Sequence, residues 1–348
     1  MPENYLELSA RDQKEILQTS AAELSRQASV LEKDIWVCWA LQTLFSIPDA
    51  HPMAFKGGTS LSKIYGIIDR FSEDVDITLD YKLFDDTDFK DHPEKFDPFA
   101  EDASKNQIRK FSDRLKGYVK TYAIETVIPY LEAELTKLPT ADQHRIDVDE
   151  TGEKIWISFP SVVETSDEYL KSQVLIELGG RNVIEPHEVH TITPYVSQIT
   201  QGVSYPTCDV VVLSPERTFW EKATLIHVEC NRGEIKENAE RLSRHWYDLT
   251  MLAKHTSGKT AINNRELFED VIRHKKIFFN TQYANYDDCL SGNLKLLPEE
   301  ETINGLQADY ENMVNAGMMY QEPPKFSDII EAIQQLETEI NQVAGSIT

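Results

Sequence analysis

Two short motifs constrain this chain more than anything else in it. Lys56-Gly57-Gly58-Thr59-Ser60-Leu61 is followed, fifteen residues after Gly58, by Glu73-Asp74-Val75-Asp76-Ile77. The glycine pair reads as a turn opening a helix, where backbone N–H groups can approach phosphate oxygens. The second motif alternates like a strand, so Asp74 and Asp76 share one face while Val75 and Ile77 enter the core. Two carboxylates on one face suit Mg²⁺, which is held by one or two carboxylates plus substrate phosphates. The spacing leaves room for a helix of about three turns near 60–69 and a return into strand 74–80. Each motif alone has an ordinary explanation, a tight turn or a solvated strand face. In this order they propose a nucleotidyl-transfer site.

Composition removes several other classes. With 59 acidic and 35 basic residues the formal net charge is −24, the reverse of the basic footprint of a general nucleic-acid binder. An RNA acceptor would need a local basic patch, and a protein or small-molecule acceptor fits the charge more comfortably. No run of eighteen apolar residues and no signal-peptide pattern is present, which points to a cytoplasmic chain without membrane insertion. Cys38, Cys208, Cys230 and Cys289 lack metal-type spacing and read as reduced core thiols. Between Asp85 and Asp102 eight carboxylates face two lysines, the pattern of a solvated insertion.

Residues 8–46 read as helical, as do 103–138, with Pro139 helping to end the latter. Strands are expected at 155–159 and 173–178, and a further run lies within 192–213. Ser214-Pro215-Glu216-Arg217 has the form of a helix start, and a second helix is expected from 238 to 254. Most of the chain from Arg265 onward is helical, and its last helix starts at Phe326 or Ser327. The expectation is an α+β fold: an N-terminal helical segment over 1–50, a catalytic core over 51–230 with an acidic and helical insertion at about 82–140, and a helical C-terminal part over 231–348.

Further motifs carry a resemblance. Leu31-Glu32-Lys33-Asp34-Ile35-Trp36, Arg70-Phe71-Ser72-Glu73-Asp74-Val75-Asp76, Glu177 with Arg181, Pro215-Glu216-Arg217-Thr218-Phe219-Trp220-Glu221-Lys222 and Arg244-His245-Trp246-Tyr247-Asp248 join the glycine motif. Together they resemble the AbiEii/AbiGii nucleotidyltransferase toxins, which are similar to DNA polymerase β-type nucleotidyltransferases. The likeness spans about residues 30–255. It implies a polymerase β-like core with a mixed sheet flanked by helices, a nucleoside triphosphate as substrate and Mg²⁺, or Mn²⁺, as cofactor. It also implies a toxin of a type IV toxin–antitoxin or phage-defence pair with a separate antitoxin. Some members add nucleotides to transfer RNA. Residue by residue, it gives the glycine motif to Gly57 and Gly58, the metal acids to Asp74 and Asp76, the lysine to Lys222 and the late aspartate to Asp248.

The remaining candidates follow from chemistry. A third metal acid is expected on a neighbouring strand, and Glu177, which breaks the apolar run Val174-Leu175-Ile176, is the candidate; a salt bridge to Arg181 explains it equally well. Lys222 could reach the β- or γ-phosphate as a point charge. Lys63 and Arg70 rank next as phosphate or acceptor contacts. Thr59 and Ser60 could touch a phosphate, although capping the helix explains them. Arg244 and Asp248, four apart, could pair with each other, or Asp248 could orient Lys222 or Arg244 for the nucleotide. The charges of Glu32, Lys33 and Asp34 read as the solvent face of their helix, and Trp36, Trp39, Trp220 and Trp246 as core. Two alternatives stay open: nucleotidylation of a protein hydroxyl, and a non-catalytic nucleotide- or antitoxin-binding module.

Overall fold

The period-2 pattern of residues 74–80 is realised as a strand with Val75, Ile77 and Leu79 buried, in a computed structural model that describes residues 2–84, 96–163, 171–232 and 241–345. The chain divides into two compact units, Met1–Ile64 with Phe71–Leu213, and Tyr65–Arg70 with Ser214–Thr348. Much of the acidic insertion, residues 85–95, lies outside the described residues.

The first unit contains, in order, β1 (Glu3–Asn4), α1 (Ala10–Leu24), α2 (Ala28–Phe45), β2 (Met53–Lys56), α3 (Gly57–Lys63), β3 (Asp74–Asp80), α4 (Lys105–Tyr122), α5 (Ile128–Leu135), β4 (Arg145–Val148), β5 (Lys154–Ser158), β6 (Gln173–Asn182), β7 (His187–Ile192), β8 (Val203–Ser204) and β9 (Cys208–Leu213). Seven strands form one mixed sheet in the order β4-β5-β6-β3-β2-β9-β7, and β1 pairs with β8 apart from it. Within the large sheet β3–β6 and β2–β9 run parallel and the other neighbours antiparallel. The α+β class with a mixed sheet is as expected.

Local differences have identifiable causes. The helical stretch 8–46 is two helices, broken where Ser25 takes a left-handed conformation at the end of α1. The helix after the glycines has seven residues, about two turns rather than three, because residues 65–70 leave to join the second unit. Helices α4 and α5 meet in a π turn over Ala123–Val127 beside Pro129, which has no N–H to donate. Strand β7 was not anticipated: its residues are largely exposed, so it lacks an apolar alternation.

Helix α2 is buried nearly all round, and this overturns the solvent-face reading of its charges. Glu32, Lys33 and Asp34 are 4%, 5% and 1% exposed. Each has a partner. Glu32 accepts from Ser161 Oγ (2.5 Å) and the Val162 N–H (2.7 Å). Lys33 pairs with Glu73 and donates to the Lys171 carbonyl at 3.1 Å. Asp34 takes Lys63 Nζ at 2.5 Å and the Tyr195 N–H at 2.7 Å. An isolated buried charge would be far more costly than these paired ones.

In the second unit α6 (Pro215–Arg232) begins as expected, with Ser214 Oγ accepting the Arg217 N–H at 3.2 Å. It is followed by α7 (Arg244–Lys254), α8 (Thr256–Asn263), α9 (Arg265–Phe278), α10 (Tyr286–Leu290), α11 (Glu300–Asn315) and α12 (Phe326–Gly345). The core reading of the tryptophans holds: Trp220 stacks on Phe268 with centroids 3.8 Å apart, and the Trp246 indole donates to the Leu296 carbonyl at 3.0 Å.

The Asp34–Lys63 pair gives a direct test. Asp34→Ala should destabilise the protein by about 3–5 kcal/mol by stranding a buried ammonium, and adding Lys63→Met should recover part of that loss. Urea unfolding of both variants measures it; equal losses in the single and double variants would contradict the pairing.

Candidate active site

The glycine turn and the acid strand touch in the first unit. Gly57 has φ +78°, and a Cβ built there would lie 1.9 Å from Asp76 Oδ2. Antiparallel register pairs Lys56 with Asp76, which brings the turn against the carboxylate. Thr59 and Ser60 are completely buried and spend their hydroxyls on main chain: Thr59 Oγ1 donates to the Asp74 carbonyl at 2.6 Å, Ser60 Oγ to the Gly57 carbonyl at 2.9 Å. Neither caps α3, whose N-cap is Lys56 with no side-chain cap bond. The Thr59 bond instead ties α3 to the start of β3. Lys63 has its ammonium on Asp34, 3.8 Å from the Tyr195 ring centroid. Burial alone would lower its pKa, but Asp34 reverses this and the net shift is upward.

The third acid lies where a neighbouring strand should carry it, but for another reason than burial. Parallel register sets Glu177 of β6 opposite Asp76. It sits in mid-strand on the half-exposed face, and its partner is Lys154 of β5 (2.8 Å), while Arg181 reaches Glu153 at 3.5 Å. The hydrogen bond from Lys154 to Glu177 raises the lysine's pKa. Lys56, Asp76, Glu177 and Lys154 thus form one lateral row across β2, β3, β6 and β5. The next row is Asp74, Leu175, Trp156 and Asp147. Lys154 and Trp156 were missed in the sequence, although Lys154-Ile155-Trp156-Ile157 alternates and both must point away from buried Ile155 and Ile157.

In the second unit the structure brings together Arg70, Lys222 and Asp248. Asp248 is fully buried and accepts from Arg70 Nε at 2.7 Å and Nη2 at 2.8 Å, with Lys222 Nζ at 2.8 Å. Arg70 is held there by its own segment. The Asp69 N–H donates to Tyr247 Oη at 3.2 Å, the Tyr320 N–H donates to the Asp69 carbonyl at 2.8 Å, and Arg70 bridges to Met319. Of the contacts considered for Asp248, the one to Lys222 is present, and Arg70 joins it on the same carboxylate.

Burial disfavours the Asp248 carboxylate, but Arg70 and Lys222 outweigh it and hold its pKa below the ordinary range. Burial lowers the Lys222 pKa; Asp248 opposes that, while Arg70 and Arg244 add to it. His245 is held neutral, its pKa pushed well below 6.5 by burial and then by Lys222 and Arg244. Its buried Nδ1 has no hydrogen-bond partner among the described residues. Arg70 and Arg244 both lie within electrostatic reach of Lys222. Of the other basic residues in this stretch, Arg232 pairs with Glu229 at 2.5 Å, and residues 233–240 lie outside the described residues.

The family described as "Nucleotidyl transferase AbiEii toxin, Type IV TA system" matches residues 39–332. The chain belongs to the AbiEii family. It is therefore a nucleotidyltransferase toxin of a type IV toxin–antitoxin system, and the match runs well past residue 255, where the motif resemblance ended. Among solved structures, the nucleotidyltransferase toxin MenT4 from Mycobacterium tuberculosis H37Rv aligns at 15% identity and TM-score 0.42, over 92% of this chain and 94% of that one. No curated protein matches. AbiEii proteins, as nucleotidyltransferases, use a nucleoside triphosphate and a divalent metal. Among the described residues no group of three or more His, Cys, Asp or Glu side chains is assembled as a metal cage, and no helix is long and apolar enough to cross a membrane.

Two outcomes follow for this AbiEii chain. Gly57→Ala should lower transfer activity at least tenfold, because the new Cβ must displace Asp76 and the positive φ is strained, while circular dichroism stays native. The second concerns pH. His245 takes a proton near pH 6.5 when unfolded but only well below that when folded. Its contribution is therefore complete above about pH 6.5 and is lost as pH falls, at up to about 1.4 kcal/mol per pH unit. His245→Gln should flatten the fall in urea-measured stability between about pH 6.5 and 5 by that share.

Proposed function

We propose that the chain transfers a nucleoside monophosphate from a triphosphate to an RNA acceptor, transfer RNA being the leading candidate, with Asp74 and Asp76 holding Mg²⁺, or Mn²⁺, and Glu177 completing the acid set. The observation that carries this reading is the place of the glycine turn: the Asp76 carboxylate fills the volume that a side chain on residue 57 would need. A phosphate on the Gly57–Gly58 N–H groups would thus lie beside a carboxylate that would help to hold the metal. The donor set fits the metal, since Asp74 and Asp76, two residues apart on β3, and Glu177, opposite Asp76 on β6, offer hard oxygen ligands on one sheet face. Such a metal would neutralise the charge that builds on the phosphates during transfer.

The side chains then divide the work. The glycine N–H groups take the triphosphate tail, and Thr59 fixes α3 to β3 so that turn and acids keep their spacing. Glu177, half-exposed and paired with Lys154, would complete the carboxylate set on the β6 side. Asp248 aims Lys222, the family's lysine, which would act as a point charge on a phosphate, and Arg70 shares that carboxylate. Lys63 has no part in nucleotide binding in this reading, because its charge is satisfied by Asp34. The protein acts in the cytoplasm as the toxin of a pair with a separate antitoxin, in phage defence, by modifying a cellular target.

Asp74→Ala and Asp76→Ala should each abolish transfer from an α-labelled triphosphate while leaving thermal unfolding within about 1 kcal/mol of the parent, since both carboxylates are on the half-exposed face. Incubation with total RNA and lysate, resolving labelled RNA from labelled protein, checks donor and acceptor together. Undiminished labelling in either variant would remove the assigned acids.

A further inference from the structure

We propose that Trp156, with Leu175 beside it, is the platform on which the terminal base of the acceptor strand stacks. The proposal rests on the transfer reading above and adds to it the side from which the acceptor arrives and the residue that receives it.

Register fixes the direction. The glycine turn lies at β2, on one flank of the acid strand, and β6 and β5 lie on the other. Nucleotidyl transfer displaces pyrophosphate in line, so the attacking hydroxyl enters opposite the leaving group. If the triphosphate tail rests on the glycines, the hydroxyl comes from the β6–β5 side. That flank is where Glu177 stands, one strand from Asp76, and where Leu175 and Trp156 continue the row that starts at Asp74. Strand spacing puts Trp156 roughly 10 Å from Asp74, and Leu175 is about 7 Å along its strand from Glu177. A nucleotide with its hydroxyl at Glu177 and its base over Trp156 spans such a distance.

The tryptophan itself is unusual in this chain. Trp36, Trp39, Trp220 and Trp246 are all 5% exposed or less, whereas Trp156 is half-buried on the outward face. Its indole has neither a hydrogen-bond nor a ring partner among the described residues. An aromatic face open beside a carboxylate set, in a chain of net charge −24, favours a ligand held by its π-face over one held by its phosphates. A nucleobase meets that chemistry; a protein hydroxyl has no need of it.

The test uses the intact protein and a single-stranded oligoribonucleotide of about ten nucleotides with a free 3′ hydroxyl. Stacking should quench tryptophan fluorescence on titration, and the quench should vanish in Trp156→Phe. Trp156→Ala should raise the KM for the RNA acceptor by about ten- to a hundredfold with kcat and the triphosphate KM unchanged, and Trp156→Phe should restore the parent KM. An unchanged RNA KM in Trp156→Ala, an equal rise in both KM values, or label found only on protein would overturn the proposal. Failure of the transfer reading is seen separately, as label incorporation that survives Asp76→Ala; the fluorescence titration needs no transfer and judges the platform alone.

Discussion

The carboxylate of Asp76 occupies the space that a Cβ on residue 57 would fill, and the donor half of the proposed site is built on that close approach. Any side chain at residue 57 would displace the Asp76 carboxylate, and the positive φ already favours glycine there. The register of β2 against β3 sets where the contact falls, and the Thr59 bond to the Asp74 carbonyl holds α3 to it. The opposite sheet face supports this arrangement. It is covered by apolar residues and by α2, where Lys33 and Asp34 are ion-paired and Glu32 is hydrogen-bonded within the first unit. A buried helix carrying Glu, Lys and Asp in succession is tolerable only with such partners, so these contacts specify how α2 seats.

The second unit solves a different problem, that of holding cations together. Arg70, Lys222 and Arg244 repel one another, and burial depresses the Lys222 pKa further. One carboxylate, Asp248, offsets this by accepting from both Arg70 and Lys222. The neutral state of His245 belongs to the same balance, since a further proton there would add to the repulsion.

Strand β3, the helix start at Ser214 and the acid pair were legible because short-range rules determine them: alternation, capping, glycine before an acid strand. Partners were not legible. Glu177 read as a third metal acid or as a partner of Arg181; it is half-exposed and pairs with Lys154, because antiparallel register brings β5 alongside. Lys63 read as a phosphate contact from its distance to the glycines, yet Asp34, 29 positions earlier, takes it. Arg70 read as a neighbour of the acids, yet its segment joins the second unit and Asp248. In each case the residue type was informative and the ion-pair partner was decided by contacts distant in sequence, which no local pattern encodes.

The net charge also bears on how an RNA acceptor would be engaged. A −24 chain repels a long polyanion, and affinity built on phosphate contacts would have to overcome that field. Stacking does not share the handicap, because a base presents a neutral π-face whatever its backbone charge. A terminal nucleotide brings few phosphates into the field and one base to the platform, so the unfavourable electrostatic contribution stays small while the stacking contribution is complete. The same field works against binding along the body of a nucleic acid. Acidity therefore need not exclude an RNA acceptor; it selects for one engaged at its end.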